Sequence, residues 1–466
     1  MIERERLQLL NDAPEVPGDY VLYWMQQSQR ADFNPALEWA IENANRLRLP
    51  VVVGFGLTDG YPEANGRHYT FMLEGLREVE MSLAERGIAF AIRRGAPDAV
   101  AIDLVQHAAL VVCDRGYLRH QKAWRSRVAR DCGHRVVQVE GDAVVPVDLT
   151  SDKREVAART LRPKIARLRD AWLKPLRTTP VSVRAEALAQ RLAQPDALAL
   201  SDVAALVARL DIDRSIGPVT RFRGGATEAK RRLHAFLHGG LSRYATERGE
   251  PALAQVSFLS PYLHFGQISP VEVALETTRS DADPEGRVGY LEELIVRREL
   301  AINFVEYEPD YDRYECLPRW ARDTLDRHRS DPRPHRYDAQ ELAAAKTHDP
   351  YWNAAMREMR NTGYMHNHMR MYWGKKILEW SASPEEGFAT ALTLNNRYFL
   401  DGRDPNSYAN VAWCFGLHDR PWPERPVFGT VRSMTQGGLV RKIDADAYVA
   451  SVDWLVAAEG AHSSPA

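Results

Sequence analysis

The sequence predicts an α/β fold with a doubly wound parallel sheet, followed by an all-α half. Three observations lead there. Short, nearly continuous apolar runs alternate with helical patterns over residues 1–150, residues 151–210 are rich in proline and alanine, and the periodicity beyond is helical without recurring strand alternation. The domains are therefore read as 1–150, an α/β (Rossmann-like) domain; 151–210, a helical linker region; and 211–466, an all-α domain.

Strands are read at YVLYWM (20–25), VVVGFGL (51–57), IAFAIRRG (88–95), ALVVCDRGY (109–117) and HRVVQVEG (134–141). Helices are read at PALEWAIENANRL (35–47) and FMLEGLREVEMSLAERG (71–87). Strands that are apolar on both faces belong to a sheet covered on both sides, which requires the helices as crossovers. Prolines 163, 175, 180 and 195 mark the linker. Helical runs follow at 226–245, 290–307, 351–382 and 384–400, and EGAHSSPA (459–466) reads as a frayed tail.

The 466 residues are 45% hydrophobic, enough to bury a sizeable core. No segment reaches the roughly 18 uninterrupted apolar residues of a membrane span, and MIERERLQLL is no signal peptide, so the expectation is a cytoplasmic protein with no membrane partner. Cys113, Cys132, Cys316 and Cys414 lack CxxC spacing and read as small buried hydrophobes; neither a disulfide framework nor a metal site is indicated. The net charge of −2 conceals an uneven distribution. Residues 356–376 hold five Lys/Arg and a single acid, and residues 425–442 hold four basic residues and no acid, just after the aromatic HDRPWPER. Such basic, aromatic stretches suit a nucleic-acid backbone with an unstacked base, and equally a solvated face. SFLSPYLHFGQIS (257–269) offers hydroxyls and amides ahead of a helix, an anion cradle or a plain cap and first turn. In MYWGKKILEW, Trp373 and Trp380 stand on one helical face about 10.5 Å apart, the spacing of an ordinary core stripe.

LSPYLHFGQIS, EELIVRRELAINF, KTHDPYWNA, HMRMYWGKKILEW, LNNRYFLDGRDPNSYANVAW and HDRPWPER, in this order, make the C-terminal half resemble the photolyase/cryptochrome family. In detail they resemble class II cyclobutane pyrimidine dimer (CPD) photolyases. The N-terminal half agrees more loosely. The resemblance implies non-covalent FAD in the helical domain and light-driven electron transfer from reduced FAD to a flipped-out dimer in UV-damaged DNA, by a monomer. By motif position Tyr244, Ser257, Leu259 and Ser260 would hold the phosphates and ribityl chain. Arg370 and Asp401, with Gly402 beside them, would pair next to the flavin ring, and Asn395 would face N5. Trp352, Trp373 and Trp380 would form an electron relay, expected in the order Trp380, Trp373, Trp352, flavin.

Glu293 would face the dimer, buried near an apolar wall with a raised pKa, or else pair with Arg297 on a helix surface. Met371 and Trp413 would pack on the flipped bases. Arg420 and Trp422 would enter the gap in the duplex, with Arg432 and Arg441 on the DNA backbone. Some relatives carry a second aromatic clamp where this chain has Arg297. A second antenna chromophore, a deazaflavin or a folate, is possible within the family, though no N-terminal motif maps to one. A cryptochrome-like photoreceptor and a non-enzymatic nucleic-acid binder are the competing functions. The short tail, Glu293 and Asn395 favour repair over the first, and flavin colour separates the second.

Overall fold

The computed structural model describes residues 2–192 and 198–463; Pro195 and residues 464–466 of the expected tail lie outside them. Six strands form one sheet: β1 (Leu7–Leu9), β2 (Tyr20–Trp24), β3 (Val51–Leu57), β4 (Ala89–Arg94), β5 (Ala108–Asp114) and β6 (Val136–Val139). Their order is β1-β6-β5-β2-β3-β4. Neighbours pair in parallel except β1, which runs antiparallel to β6 with Leu7 opposite Val139. Every residue of β2, β3, β5 and β6 is buried, as a sheet covered on both faces requires.

The structure corrects the expected sheet by adding the edge strand β1. Its three residues are half-buried or exposed, too short to show alternation. Helices Pro97–Val105 and Arg119–Asp131 complete the two crossovers that the sequence reading left blank. The first is apolar on nearly all sides because β3 approaches it closely. A Cβ at Gly54 would lie 2.6 Å from Leu104 Cδ1, and one at Gly56 2.6 Å from Pro97 Cα. The second buries only Gln121, Arg125, Val128 and Ala129, so it shows no apolar stripe.

The described residues of 151–210 form a strap over the α/β domain more than a free linker. Leu176 and Val181 pack on one face of the sheet and Ala185 and Leu188 on the other. Leu198, Leu200, Val203 and Leu206 cover Phe55 and Leu57. The helical domain is continuous with the sheet domain. Tyr117, Leu118 and Val147 enter the core built around Trp352, and helix Arg298–Tyr307 carries Glu299, whose carboxylate accepts the amides of Val144 and Val145. The expected tail is helical as far as Ser463, in Ala445–Ser463.

One helical hairpin positions most of the site. Helix Pro350–Thr362 stops at Gly363, whose φ of +70° suits a residue without a side chain. The chain then reverses, His366 caps the next helix by accepting from the amide of His368, and Asn367–Trp380 runs back. The reversal sets Trp352, near the start of one helix, against Trp380, at the end of the other. No helix among the described residues is long and apolar enough to cross a membrane.

Candidate active site

A solvent-open cleft of about 580 Å³ cuts into the helical domain. Ser257, Leu259 and Ser260 line it on the turn entering helix Ser260–His264, Tyr244 lines it too, and Arg370 faces the cleft from helix Asn367–Trp380 and Asp401 from the turn after helix Pro384–Tyr398. Six of the expected cofactor-binding residues, Tyr244, Ser257, Leu259, Ser260, Arg370 and Asp401, thus meet in one cleft. Gly402 lies next to Asp401, where a Cβ would meet the Asn396 carbonyl oxygen at 2.8 Å; its role is to keep that turn tight. Arg370 Nη2 donates to both carboxylate oxygens of Asp401, at 2.7 and 3.0 Å, and the guanidinium lies over the Phe399 ring at 3.7 Å.

Beneath the cleft a narrower slot is lined by Arg370, Met371, Trp373, Asn395, Phe399 and Asn410, among others. Asn395 is buried inside helix Pro384–Tyr398, where its Nδ2 donates to Asn396 Oδ1 at 3.1 Å. The Trp373 indole N–H is buried without a hydrogen-bond partner, an open donor at the slot. The large polar-rimmed cleft, the paired charge beside the slot and this orphaned donor fit a flavin dinucleotide.

The tryptophans adopt a different order from the expected one. The Trp352 ring is fully buried, lies edge-on to Trp380 at 5.5 Å, and donates its indole N–H to the Trp373 carbonyl at 3.0 Å. Trp373 turns its ring to Phe399, 6.5 Å away. The order is Trp380, Trp352, Trp373, with Trp373 at the slot. Two positions seven apart on a helix are about 10.5 Å from each other, and the antiparallel partner fills that gap.

Glu293 also departs from expectation. It lines the cleft but keeps 37% of its side chain exposed and pairs with Arg248 at 2.8 Å, neither walled in by apolar groups nor bonded to Arg297. The turn Glu292–Arg297 widens to five-residue hydrogen bonding, which rotates successive side chains away from ordinary helical positions. Arg297 instead reaches Glu292 at 3.4 Å and sets its guanidinium 5.5 Å over the Trp413 ring. The side chain facing the Trp413 ring is thus a cation.

Met371, Trp413 and Arg432 line the cleft. Arg420 and Arg432 flank the half-buried Trp422 ring at 5.5 and 4.8 Å, and Arg441 is exposed outside the cleft lining. Sequence reasoning missed His366, His368, Asn410, Arg298, Lys375 and Lys442, all on the cleft. Several lie inside the motifs quoted above, where sequence shows their charge and not their burial. Burial is the first cause that pulls both imidazoles down to about 4, so both are neutral at pH 7.

A second cleft opens where β2 and β5 diverge in strand order, the switch point of a doubly wound sheet. Gln26, Gly56, Tyr61, His68, Gln121 and Arg403 are among its lining residues. Gln29 Oε1 and Arg403 Nε are buried there without partners.

The DNA photolyase family profile matches residues 21–181. The deoxyribodipyrimidine photo-lyase of Methanothermobacter thermautotrophicus is 47% identical over 98% of this chain and 100% of its own length. That of Oryza sativa subsp. japonica is 38% identical over 97% of this chain and 90% of its own. The crystal structure of a class III photolyase from Agrobacterium tumefaciens superposes with a TM-score of 0.71 at 20% identity, covering 97% of this chain and 92% of that one. The profile, the full-length relatives and the shared architecture agree, and the chain belongs to the DNA photolyase family.

Proposed function

We propose that this protein is a class II photolyase that binds FAD in the large cleft and uses light to split cyclobutane pyrimidine dimers in UV-damaged DNA. The observation that carries the reading is the slot, where the Arg370–Asp401 pair, Asn395 and the end member of a tryptophan chain converge beneath a basic-rimmed cleft. Bound FAD supplies the light absorption and the one-electron donation to the dimer.

The chain's own residues hold and orient. Ser257, Leu259, Ser260 and Tyr244 bind the phosphates and ribityl chain, and the Arg370–Asp401 pair fixes the charge beside the ring. Asn395 offers its amide from below, with Gly402 keeping the adjacent turn tight. Electrons arrive from Trp380 through Trp352 and Trp373. Met371 and Trp413 pack on the flipped bases. Glu293 exchanges its contact with Arg248 for one with the dimer, its carboxylate accepting a hydrogen bond from a pyrimidine ring N–H. Arg420 and Trp422 occupy the gap in the duplex, and Arg432 and Arg441 hold phosphates. A dimer stacks and pairs poorly, so extruding it costs less than extruding intact bases. The second cleft, at the sheet's switch point, is the place for an antenna pigment, a deazaflavin or a folate.

The test is repair itself. Purified protein with fully reduced flavin, given dimer-containing oligonucleotides and blue light, should restore the thymines. Unchanged dimers would overturn the assignment and return the photoreceptor reading. Binding should also depend on salt. Arg420, Arg425, Arg432, Arg441 and Lys442 are all exposed. If three to five of them meet phosphates, log affinity should fall against log salt with a slope of about −3 to −5. A flat titration between low and physiological salt would remove these residues from the DNA interface.

A further inference from the structure

Helix Asn367–Trp380 carries two successive lysines, Lys375 at 1% and Lys376 at 7% exposure. Full burial of an ammonium is costly unless it is paired. Lys376 is paired: its Nζ donates to Glu379 Oε2 at 2.7 Å and lies over the Tyr372 and Trp380 rings. Lys375 differs. Its single hydrogen-bond acceptor is the carbonyl of Cys414, and among the described residues no carboxylate comes within ion-pair distance. Three N–H donors meet one acceptor.

The side chain lines the large cleft, one helical turn beyond Met371, and Trp413, Arg432 and Lys442 line the same cleft. The cleft is rich in cations there, so the missing partner is an anion brought in from outside. We propose that Lys375 is a positioning residue for the flipped dinucleotide, donating to the phosphate that links its two nucleosides. This rests on the repair reading above. A phosphodiester is the permanent negative charge that such a ligand carries between two bases packed on Met371 and Trp413, and a charge-assisted bond to it fixes both bases at once.

Burial pulls the Lys375 ammonium down to about 8; Cys414 and Asp419 oppose the shift and Arg432 adds to it. The other titratable groups around it change charge elsewhere: the Cys414 thiol is pushed up to about 11, and the His366 and His368 imidazoles are pulled down to about 4. Deprotonation of Lys375 between pH 7 and 9 should therefore loosen the phosphate contact while the cleft's other groups hold their charge.

The experiment is a set of binding titrations with the flavin-loaded protein. Probes are a dimer-containing duplex, an undamaged duplex, and a dimer whose linking phosphate is replaced by a neutral formacetal. Wild-type affinity for the phosphate-linked dimer should fall from pH 7 to 9, and affinity for the formacetal dimer should stay level. Lys375→Met should weaken binding of the phosphate-linked dimer roughly ten- to a hundredfold and leave the formacetal dimer nearly untouched. Lys375→Arg should restore binding in part and flatten its pH profile. Flavin absorbance per protein reports folding, and if Lys375→Met does not fold, the wild-type comparison of the two linkages across pH stands alone. Equal pH profiles for the two linkages, or equal losses for both in Lys375→Met, overturn the proposal. Wild-type protein that does not prefer the dimer to undamaged duplex overturns the repair reading instead.

Discussion

Replacing Trp352 by phenylalanine is expected to leave the protein folded and flavin-bound, yet unable to reduce its flavin with light. The ring sits at 0% exposure between Trp380 at 5.5 Å and the Trp373 backbone carbonyl, so it stands between the other two. Phenylalanine keeps most of the packing volume and loses one hydrogen bond to a carbonyl, at a cost of roughly 1–3 kcal/mol. It is also far harder to oxidise than indole. Chemically pre-reduced Trp352→Phe should still split dimers, because the chain refills the flavin without touching the lesion. Trp373→Phe should behave in the same way. Trp24→Phe is the control: Trp24 is equally buried, in β2 of the other domain, so its loss should lower stability without changing photoreduction per bound flavin. Photoreduction of Trp352→Phe at the wild-type rate, with external reductant present, would make Trp352 only a core residue.

That expectation needed the structure, and the reason shows where sequence reading ends. The i, i+7 column of Trp373 and Trp380 was legible because helical periodicity is local. The member between them comes from another helix, and its place depends on the turn at Gly363 and on how the hairpin packs. β2, β3, β5 and β6 were legible because burial on both faces leaves a continuous apolar run, whereas β1 is three residues long and helix Arg119–Asp131 shows almost no apolar stripe. The same division runs through the site. The expected cofactor-binding residues fall together because each sits in a local motif. Glu293 was placed against the wrong neighbours: Arg248 lies 45 residues earlier in the chain, and the widened turn at Glu292–Arg297 breaks the spacing on which a pairing with Arg297 relied. Lys375 was counted as surface charge because nothing in GKK distinguishes a buried lysine from an exposed one.

Asp401→Ala is expected to be the most damaging single change at the site, and worse than removing Arg370 along with it. The two side chains are only 11% and 10% exposed, joined by two hydrogen bonds from one guanidinium nitrogen. Deleting the carboxylate strands a buried cation over the Phe399 ring, which costs about 3–5 kcal/mol. Exchanging both for apolar residues of similar volume, Arg370→Met with Asp401→Leu, leaves no lone charge and should recover most of that stability. Flavin content then separates the two meanings of the pair. If it serves only the fold, the double variant will melt close to wild type and purify with full flavin absorbance. If it fixes the charge beside the flavin ring, the double variant will melt close to wild type but purify flavin-poor, and added FAD will raise its melting temperature less than it raises that of wild-type protein stripped of flavin. Thermal melts with and without added FAD, read beside the ratio of flavin to protein absorbance, decide between them. The second outcome is expected, because Arg370 lines both the cleft and the slot beneath it, where a structural ion pair would have no need to be.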